Sequence, residues 1–317
     1  MTVLVTGASG FIGRHVIAEL LRRSIKVKVA CRQGTDVELP FDNLEVVYLS
    51  GPGTAATDWA VAVSHCRAVI HLAARAHVLR DRHEDPAGAF KLANVEYARA
   101  CGDAAAIAGV ERFIFMSSVG VHGGHSGEQP IQAESAIKPH TSYACSKAEA
   151  EQALTEVVRG AGMKLTVVRP PLVYGPGAPG NFGVLVRAIA SGLPLPLGSL
   201  TNNRRSFVAI DNLVDLIATC LSHKAAANQT FLVSDGEDLS TADLLRRLAS
   251  MMGRPARLMP VPEGLLAFGA HLLKKQEMFQ SLCGTLQVDI SKTCSLLDWK
   301  PPVSVDEGLR RAVQQRL

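Results

Sequence analysis

Short apolar runs alternate with longer amphipathic segments along most of the chain. Near-continuous apolar runs predict strands near Thr2–Thr6, Lys26–Cys31, Glu45–Leu49, Ala68–Leu72, Arg112–Ser117, Leu165–Arg169 and Thr230–Val233. Between them, apolar positions at helical spacing predict helices near Ile12–Arg23, Ala55–Ser64, Ala87–Ala108, Ser142–Arg159 and Asn212–Ser222. Strands that are apolar on both faces and are linked by helices are typical of parallel sheets. The pattern therefore predicts an α/β fold with a doubly wound parallel sheet.

The first strand runs into three glycines and then into an amphipathic helix, in the sequence MTVLVTGASGFIG. In this context Gly7 allows a tight turn, Gly10 lets a phosphate approach the backbone, and Gly13 lets the helix pack closely on the strand. The start of the helix offers N–H groups and a partial positive charge to an anion. The segment predicts a dinucleotide site on a Rossmann sheet. Its predicted binding residues are Gly7, Ser9, Gly10, Phe11, Ile12 and Gly13.

The alternation of strands and helices changes after Arg169. The segment PPLVYGPGAPGNF is too rich in proline and glycine for one regular element. Two further helices, near Thr241–Met252 and Glu263–Lys275, lie outside the sheet pattern. We predict a dinucleotide-binding domain in residues 1–170 with a return of the chain at 206–236, and a smaller substrate-binding lobe in residues 171–205 and 237–317. A ligand is expected in the cleft between the two.

The amino-acid composition limits the functional classes to which the protein can belong. The chain has 317 residues, is 47% hydrophobic and 20% charged, and carries a net charge of +4, which describes a soluble globular protein and argues against nucleic-acid binding. The seven cysteines are scattered without metal-type spacing, so we expect reduced thiols, no metal site and a cytoplasmic location. No apolar run is long enough to span a membrane. The apolar stretch GLLAFGAHLL is expected to be a core helix or a lid rather than a membrane contact.

Candidate chemistry lies on one predicted helix and one strand end. Tyr143 and Lys147 are four residues apart, so they share a helix face. A neighbouring ammonium is expected to lower the pKa of a tyrosine from about 10, so that the tyrosine exchanges a proton with a substrate oxygen during hydride transfer. Ser118 follows the apolar run RFIFM, at the strand end where open α/β sheets place their sites. Its hydroxyl is expected to hydrogen-bond the same oxygen.

These motifs occur together with His71-Leu72-Ala73-Ala74, Asn94, Tyr174-Gly175-Pro176 and Arg205. In this order they resemble the extended short-chain dehydrogenase/reductases, the NAD-dependent epimerase/dehydratase family, over essentially the whole chain. The resemblance implies a catalytic triad of Ser118, Tyr143 and Lys147. It implies further cofactor contacts from Leu72, Ala73, Ala74, Asn94, Tyr143, Lys147 and Pro170, with Asn94 supporting the lysine through water.

The resemblance also implies a substrate site. Arg205 would hold a substrate diphosphate. Leu172 stands where epimerases of the family often carry an asparagine near the phosphates, so Asn181 and Arg204 are further candidates. Ser118 would contact the sugar, and His77, on a predicted loop, is either a sugar contact or a solvated residue.

Two departures from the family pattern narrow the reaction and the cofactor. Sugar dehydratases of the family carry Asp-Glu after the active-site hydroxyl residue, whereas this chain has Val119 and Gly120, which argues against dehydration. The second strand ends in Arg32 and has no carboxylate for the ribose hydroxyls of NAD. A guanidinium suits a 2′-phosphate, so we favour NADP(H), with NAD(H) possible.

Within the family, the chain most resembles bacterial nucleotide-sugar 4-ketoreductases. These reduce UDP-4-keto-6-deoxy-N-acetylhexosamines to UDP-N-acetylquinovosamine or UDP-N-acetylfucosamine for O-antigen, lipopolysaccharide or other surface polysaccharide. The alternatives are a UDP-hexose 4-epimerase with retained NAD and a non-catalytic nucleotide-binding sensor. The family also implies a homodimer, formed through the helix after Asn94 and the helix of Tyr143.

Overall fold

The structure, a computed structural model, describes residues 1–34, 41, 44–51, 56–76, 85–272 and 276–314. Within these ranges the strands are β1 (Thr2–Thr6), β2 (Lys26–Arg32), β3 (Glu45–Leu49), β4 (Ala68–His71), β5 (Arg112–Met116), β6 (Lys164–Arg169), β7 (Leu172–Tyr174), β8 (Arg205–Ala209), β9 (Gln229–Leu232) and β10 (Asp238–Leu239). The α-helices are α1 (Phe11–Arg22), α2 (Ala56–Val63), α3 (Pro86–Phe90), α4 (Tyr97–Ile107), α5 (Ser142–Val158), α6 (Gly180–Ala190), α7 (Ile210–Ser222), α8 (Thr241–Met251), α9 (Glu263–Leu272), α10 (Gln276–Cys283), α11 (Ser291–Leu297) and α12 (Val305–Gln314).

Seven parallel strands form the main sheet, in the order β3-β2-β1-β4-β5-β6-β9. Helices α1 and α7 cover one face, and α2, α4 and α5 cover the other. Both faces of β1 are therefore buried, with Val3, Leu4 and Val5 each 0% exposed. The predicted doubly wound Rossmann sheet is confirmed. The strand order reverses between β1 and β4, and ligands of such sheets bind at the carboxyl ends of the strands beside this point.

A second, three-stranded sheet has the order β10-β8-β7. It packs with α6, α8 and α12 around a separate core that includes Tyr174, Phe207 and Leu245. Strand β8 lies in this small sheet, and the chain then returns to the main sheet through α7 and β9. The functional division into a dinucleotide domain and a substrate lobe stays a prediction.

Several segments differ from the sequence expectation or add to it. The helix predicted over Ala87–Ala108 is interrupted by a π-helical turn, Lys91–Glu96, between α3 and α4. The segment rich in proline and glycine contains β7 and ends where α6 begins. Helices α6, α10, α11 and α12 were not predicted, although the buried residues of α12 include Val305, Leu309, Ala312 and Val313, at the spacing of an amphipathic helix.

Helix α9 lies on the surface. It has no buried residue, and Leu265, Phe268 and Leu272 are 62%, 63% and 66% exposed. The expectation of a core helix for this stretch is therefore wrong, and the alternative of a lid stays a prediction. In the described part of the chain, the helices are too short or too polar to cross a bilayer.

Candidate active site

The turn after β1 requires glycine at two positions. Gly7 has a φ of 70°, and a Cβ atom there would lie 2.7 Å from the backbone nitrogen of Ala73. A Cβ atom on Gly13 would lie 2.2 Å from the carbonyl oxygen of Gly7. These close approaches hold β1, α1 and the end of β4 together at the carboxyl edge of the sheet.

The N-terminus of α1 has no side-chain cap. Its N-cap residue is Gly10, in an extended conformation, and the first turn has no acidic residue. Helix N-terminal N–H groups without a side-chain acceptor are suited to bind an anion. Ser9 and Gly10 are exposed here, while Phe11 and Ile12 are half-buried. The turn and this helix end fit the pyrophosphate of a dinucleotide.

The end of β4 lies directly against this turn. The backbone N–H of Ala73 donates to Thr6 Oγ1 at 3.1 Å, and His71 Nδ1 lies 3.2 Å from the same oxygen. Burial, with a smaller effect of the Lys147 charge, lowers the pKa of His71 to about 3, so the imidazole is neutral. Leu72 and Ala73 are half-buried and Ala74 is exposed, so the segment after His71 borders the glycine turn.

Ser118 and Tyr143 occupy adjoining turns. Ser118 caps the 3₁₀ turn Val119–His122, where its Oγ accepts from the N–H of Gly120 at 3.1 Å. A Cβ atom on Gly120 would lie 3.3 Å from Ser118 Oγ and 3.6 Å from Ala144 Cβ, so this turn packs on the residue next to Tyr143. The turn that begins at Ser118 therefore packs on the first turn of the helix that carries Tyr143.

Lys147 is deeply buried beneath them. It is 1% exposed, its Nζ donates to the carbonyl oxygen of Met116 at 2.7 Å, and it lies 4.6 Å from the centre of the Phe115 ring. Burial lowers the pKa of Lys147 to about 7, an effect that the Glu151 carboxylate opposes.

The pKa of Tyr143 differs from expectation. The sequence predicted that Lys147 lowers it, but burial raises it to about 12. The physical reason is burial of the phenol, and Lys147 Nζ is itself bonded to the Met116 carbonyl oxygen.

Asn94 lies in the π-helical turn and is 0% exposed. Its Oδ1 accepts from the backbone N–H of Arg75 at 2.6 Å, and its Nδ2 donates to Ser146 Oγ at 2.9 Å. Asn94 thus contacts the residue before Lys147. A π-turn is frequent at functional sites, since its extra residue redirects a side chain.

The residues predicted to bind the substrate do not all line the same crevice. Arg205 and Asn181 line a crevice of about 20 Å³ together with Phe182, Thr241 and Leu282. Arg205 donates to the carbonyl oxygen of Gly284 at 2.7 Å. Burial lowers its pKa to about 10, so it stays charged at neutral pH.

Arg204 does not line this crevice. It is exposed, and its guanidinium donates to the carbonyl oxygens of Thr201 and Asn203 at 2.9 and 3.0 Å. Successive residues beside a strand point to opposite sides, which explains why its neighbour Arg205 faces inward. His77 lies outside the described residues.

Two further predicted cofactor residues lie at strand ends. Arg32 is exposed at the end of β2. Pro170 is buried directly after β6, and its carbonyl oxygen accepts from the N–H of Val119 at 2.9 Å. The described residues contain no group of three or more His, Cys, Asp or Glu side chains that could bind a metal.

Sequence analysis missed a buried ion pair below the site, between Glu151 of α5 and Arg169 of β6. A signal was available, because Glu151 is four residues after Lys147 and so lies on the same helix face.

Comparison with known proteins agrees with this architecture. Residues 3–234 match the model of the NAD dependent epimerase/dehydratase family. A UDP-glucose 4-epimerase of Vibrio cholerae is 40% identical over 315 residues, which cover 99% of this chain and 94% of that protein. A dTDP-4-dehydro-6-deoxyglucose reductase of Escherichia coli is 24% identical, over 98% of this chain and 96% of that protein.

A solved structure has the same fold. It is the structure of DesIV, a dTDP-glucose 4,6-dehydratase of Streptomyces venezuelae, with NAD bound. The two chains superpose with a TM-score of 0.79 and are 26% identical in sequence, and the match covers 99% of this chain and 96% of DesIV. The family model and the Vibrio relative together cover the glycine turn, Ser118, Tyr143 and Lys147. The chain therefore belongs to the NAD-dependent epimerase/dehydratase family of the extended short-chain dehydrogenase/reductases, and it is an enzyme.

Proposed function

We propose that the chain reduces the C4 carbonyl of a UDP-4-keto-6-deoxy-N-acetylhexosamine with NADPH. The observation that carries this proposal is the packing of the Ser118 turn on the start of α5, the helix that carries Tyr143 and buried Lys147, together with the uncapped N-terminus of α1. Two hydroxyl donors near one position suit a carbonyl oxygen that gains negative charge during reduction.

The chain's own residues suit the dinucleotide. Gly7, Gly10 and the first N–H groups of α1 would hold the pyrophosphate, and Leu72–Ala74 and Pro170 would line the nicotinamide side. Lys147 would contact the nicotinamide ribose, with Asn94 supporting it. Arg32 would bind a 2′-phosphate, which favours NADP(H) over NAD(H). When bound, the nicotinamide supplies or accepts the hydride.

The state of Tyr143 supports the direction of reduction. Because burial raises its pKa to about 12, the phenol keeps its proton at neutral pH. A protonated tyrosine can donate that proton to the O4 atom of the sugar, while Ser118 Oγ donates a hydrogen bond.

The substrate residues agree with a nucleotide sugar. Arg205 carries the charge for a diphosphate, and Asn181 lines the same crevice. Val119 and Gly120 follow Ser118, so neither position supplies the acid that a dehydration needs. We further propose that residues 1–170 and 206–236 serve the dinucleotide and residues 171–205 and 237–317 the sugar, in a homodimer.

A UDP-hexose 4-epimerase with retained NAD is the second candidate, and the Vibrio relative at 40% identity favours it. One experiment separates the two. Purified protein is mixed with NADPH and UDP-4-keto-6-deoxy-N-acetylglucosamine, which a dehydratase makes in situ, and absorbance of the reduced nicotinamide is followed. Consumption by the wild type and none by Tyr143→Phe supports the reductase. No consumption, with NAD released on denaturation and UDP-glucose converted without added reductant, favours the epimerase.

A further inference from the structure

A buried carboxylate and a buried guanidinium face each other below the site. Glu151 is 8% exposed and Arg169 is 6% exposed. Arg169 Nε donates to Glu151 Oε1 at 2.9 Å, and Arg169 Nη2 donates to Glu151 Oε2. The contact is a two-pronged guanidinium–carboxylate pair, which is the strongest and most directional form of ion pair.

The pair joins the segments that bear the site residues. Ser117, the residue before Ser118, donates its hydroxyl to Glu151 Oε1. Arg169 Nη1 lies 2.9 Å from Nε2 of His122, the last residue of the turn that Ser118 caps. Glu151 itself follows Lys147 by one helical turn.

We propose that Glu151 and Arg169 are positioning residues, which fix the Ser118 turn against α5 and keep an anionic neighbour beside the Lys147 ammonium. The proposal rests on the roles that the proposed function gives to Ser118 and Lys147. The geometry supports this proposal. The Glu151 carboxylate accepts a hydrogen bond from Ser117, the residue before Ser118, and Glu151 lies on the same face of α5 as Lys147.

The charges around Lys147 agree with this role. Its own helix supplies Tyr143, which keeps its proton at neutral pH, and Glu151, whose carboxylate raises the pKa of Lys147 against the effect of burial. Strand β4 supplies neutral His71, and β6 supplies Arg169. Burial and the Arg169 charge lower the pKa of His122, so it stays neutral and accepts from Arg169.

The test measures the titration of Lys147 directly. The protein without added nucleotide is labelled with ¹³Cε-lysine, and the Lys147 signal is assigned by its loss in Lys147→Arg. Three further variants are compared: Glu151→Gln, the double variant Glu151→Gln/Arg169→Met, and Glu149→Gln as the control. Glu149 is exposed on the same helix.

We expect the Lys147 midpoint to fall by about one pH unit in Glu151→Gln, because the nearest anion is lost and Arg169 is left unpaired. The double variant removes both charges, so its midpoint should lie between those of the wild type and Glu151→Gln. It also remains informative if Glu151→Gln fails to fold. Glu149→Gln should titrate like the wild type.

Activity provides a second measurement. In the double variant we expect kcat to fall with KM for the sugar nearly unchanged, and the alkaline limb of the kcat profile to move to lower pH. A folded double variant with the wild-type midpoint and profile would overturn the proposal. If midpoints shift as expected but no form of the protein turns over sugar, the electrostatic role stands and the proposed function fails.

Discussion

The two sides of the expected cleft differ in how far their side chains are already arranged to bind a ligand. At the carboxyl edge of the main sheet, Ser118, Lys147 and Asn94 are each held by hydrogen bonds to neighbouring backbone or side chains. The crevice of the small sheet, beside Arg205, holds only about 20 Å³. Sites for small molecules are about 300–1,000 Å³, so this crevice by itself is too small for a nucleotide sugar.

Under the proposed function, this difference means that the residues assigned to the chemical step are preorganised, whereas those assigned to substrate recognition are not. The chemical side is built on strands and helices that are covered on both faces, so its side chains have little freedom. On the other side, Arg205 Nη1 donates to the carbonyl oxygen of Gly284, and the crevice that Arg205 lines is narrow. Substitutions on the chemical side should therefore lower kcat, and substitutions on the recognition side should raise KM.

The largest expected effect is on the chemical side. Tyr143→Phe removes the proton donor and leaves the ring, so kcat should fall by about 10²–10⁴-fold while nucleotide binding is kept. Stopped-flow absorbance gives the rate, and fluorescence quenching by NADPH gives the binding constant. Tyr48→Phe is the control, since Tyr48 is 57% exposed on β3. An active Tyr143→Phe would remove the tyrosine from the chemistry.

The next effect is on the recognition side. Arg205→Met should raise KM for the UDP-sugar by about 10- to 100-fold with a small change in kcat, because a charged hydrogen bond to the diphosphate is worth about 1.5–3 kcal/mol. Steady-state kinetics with varied sugar concentration measures this. Arg204→Met is the matched control, since its guanidinium binds loop carbonyls outside the crevice. Equal effects of the two substitutions would contradict the preference for Arg205.

The buried lysine predicts a pH dependence of stability on the chemical side. Lys147 has its pKa lowered from 10.5 to about 7 by burial, so between these values the unfolded chain binds more protons than the folded one. Stability must then rise with pH over that window. The wild type should gain about 2 kcal/mol relative to Lys147→Met between pH 7 and pH 9, measured by urea unfolding. A constant difference between the two proteins would show that Lys147 titrates normally.

The sequence predicted some elements of the fold well and others not at all. The strands β1 to β6 were predicted within one or two residues, since each is a short, mainly apolar run, and all but the edge strand β3 are mostly buried. The π turn at Asn94 was not, because one extra residue in a helical turn leaves no mark on a periodicity of 3.6. Helix α12 carried a readable pattern that was overlooked.

The types and the order of the site residues could be predicted from the sequence, but their pKa values, ion pairing and packing could not. The raised pKa of Tyr143 depends on burial by tertiary packing, which outweighs the neighbouring lysine that the spacing shows. The ion pair of Glu151 and Arg169 joins a helix to a strand that begins after it, so the spacing that places Glu151 on the Lys147 face does not indicate its partner Arg169. The tightness of the Arg205 crevice likewise depends on α6, α8 and α10 packing together.

The smallest expected effect concerns the outer rim of the nucleotide site, where Arg32 is exposed at the end of β2. If its guanidinium binds a 2′-phosphate, Arg32→Ala should raise KM for NADPH by about tenfold, since the pair is partly screened by solvent. KM for NADH should stay the same, which provides a control within one protein because NADH lacks that phosphate. Equal changes for both nucleotides would assign Arg32 a structural role, and the absence of an acidic residue at this strand end would then no longer favour NADPH.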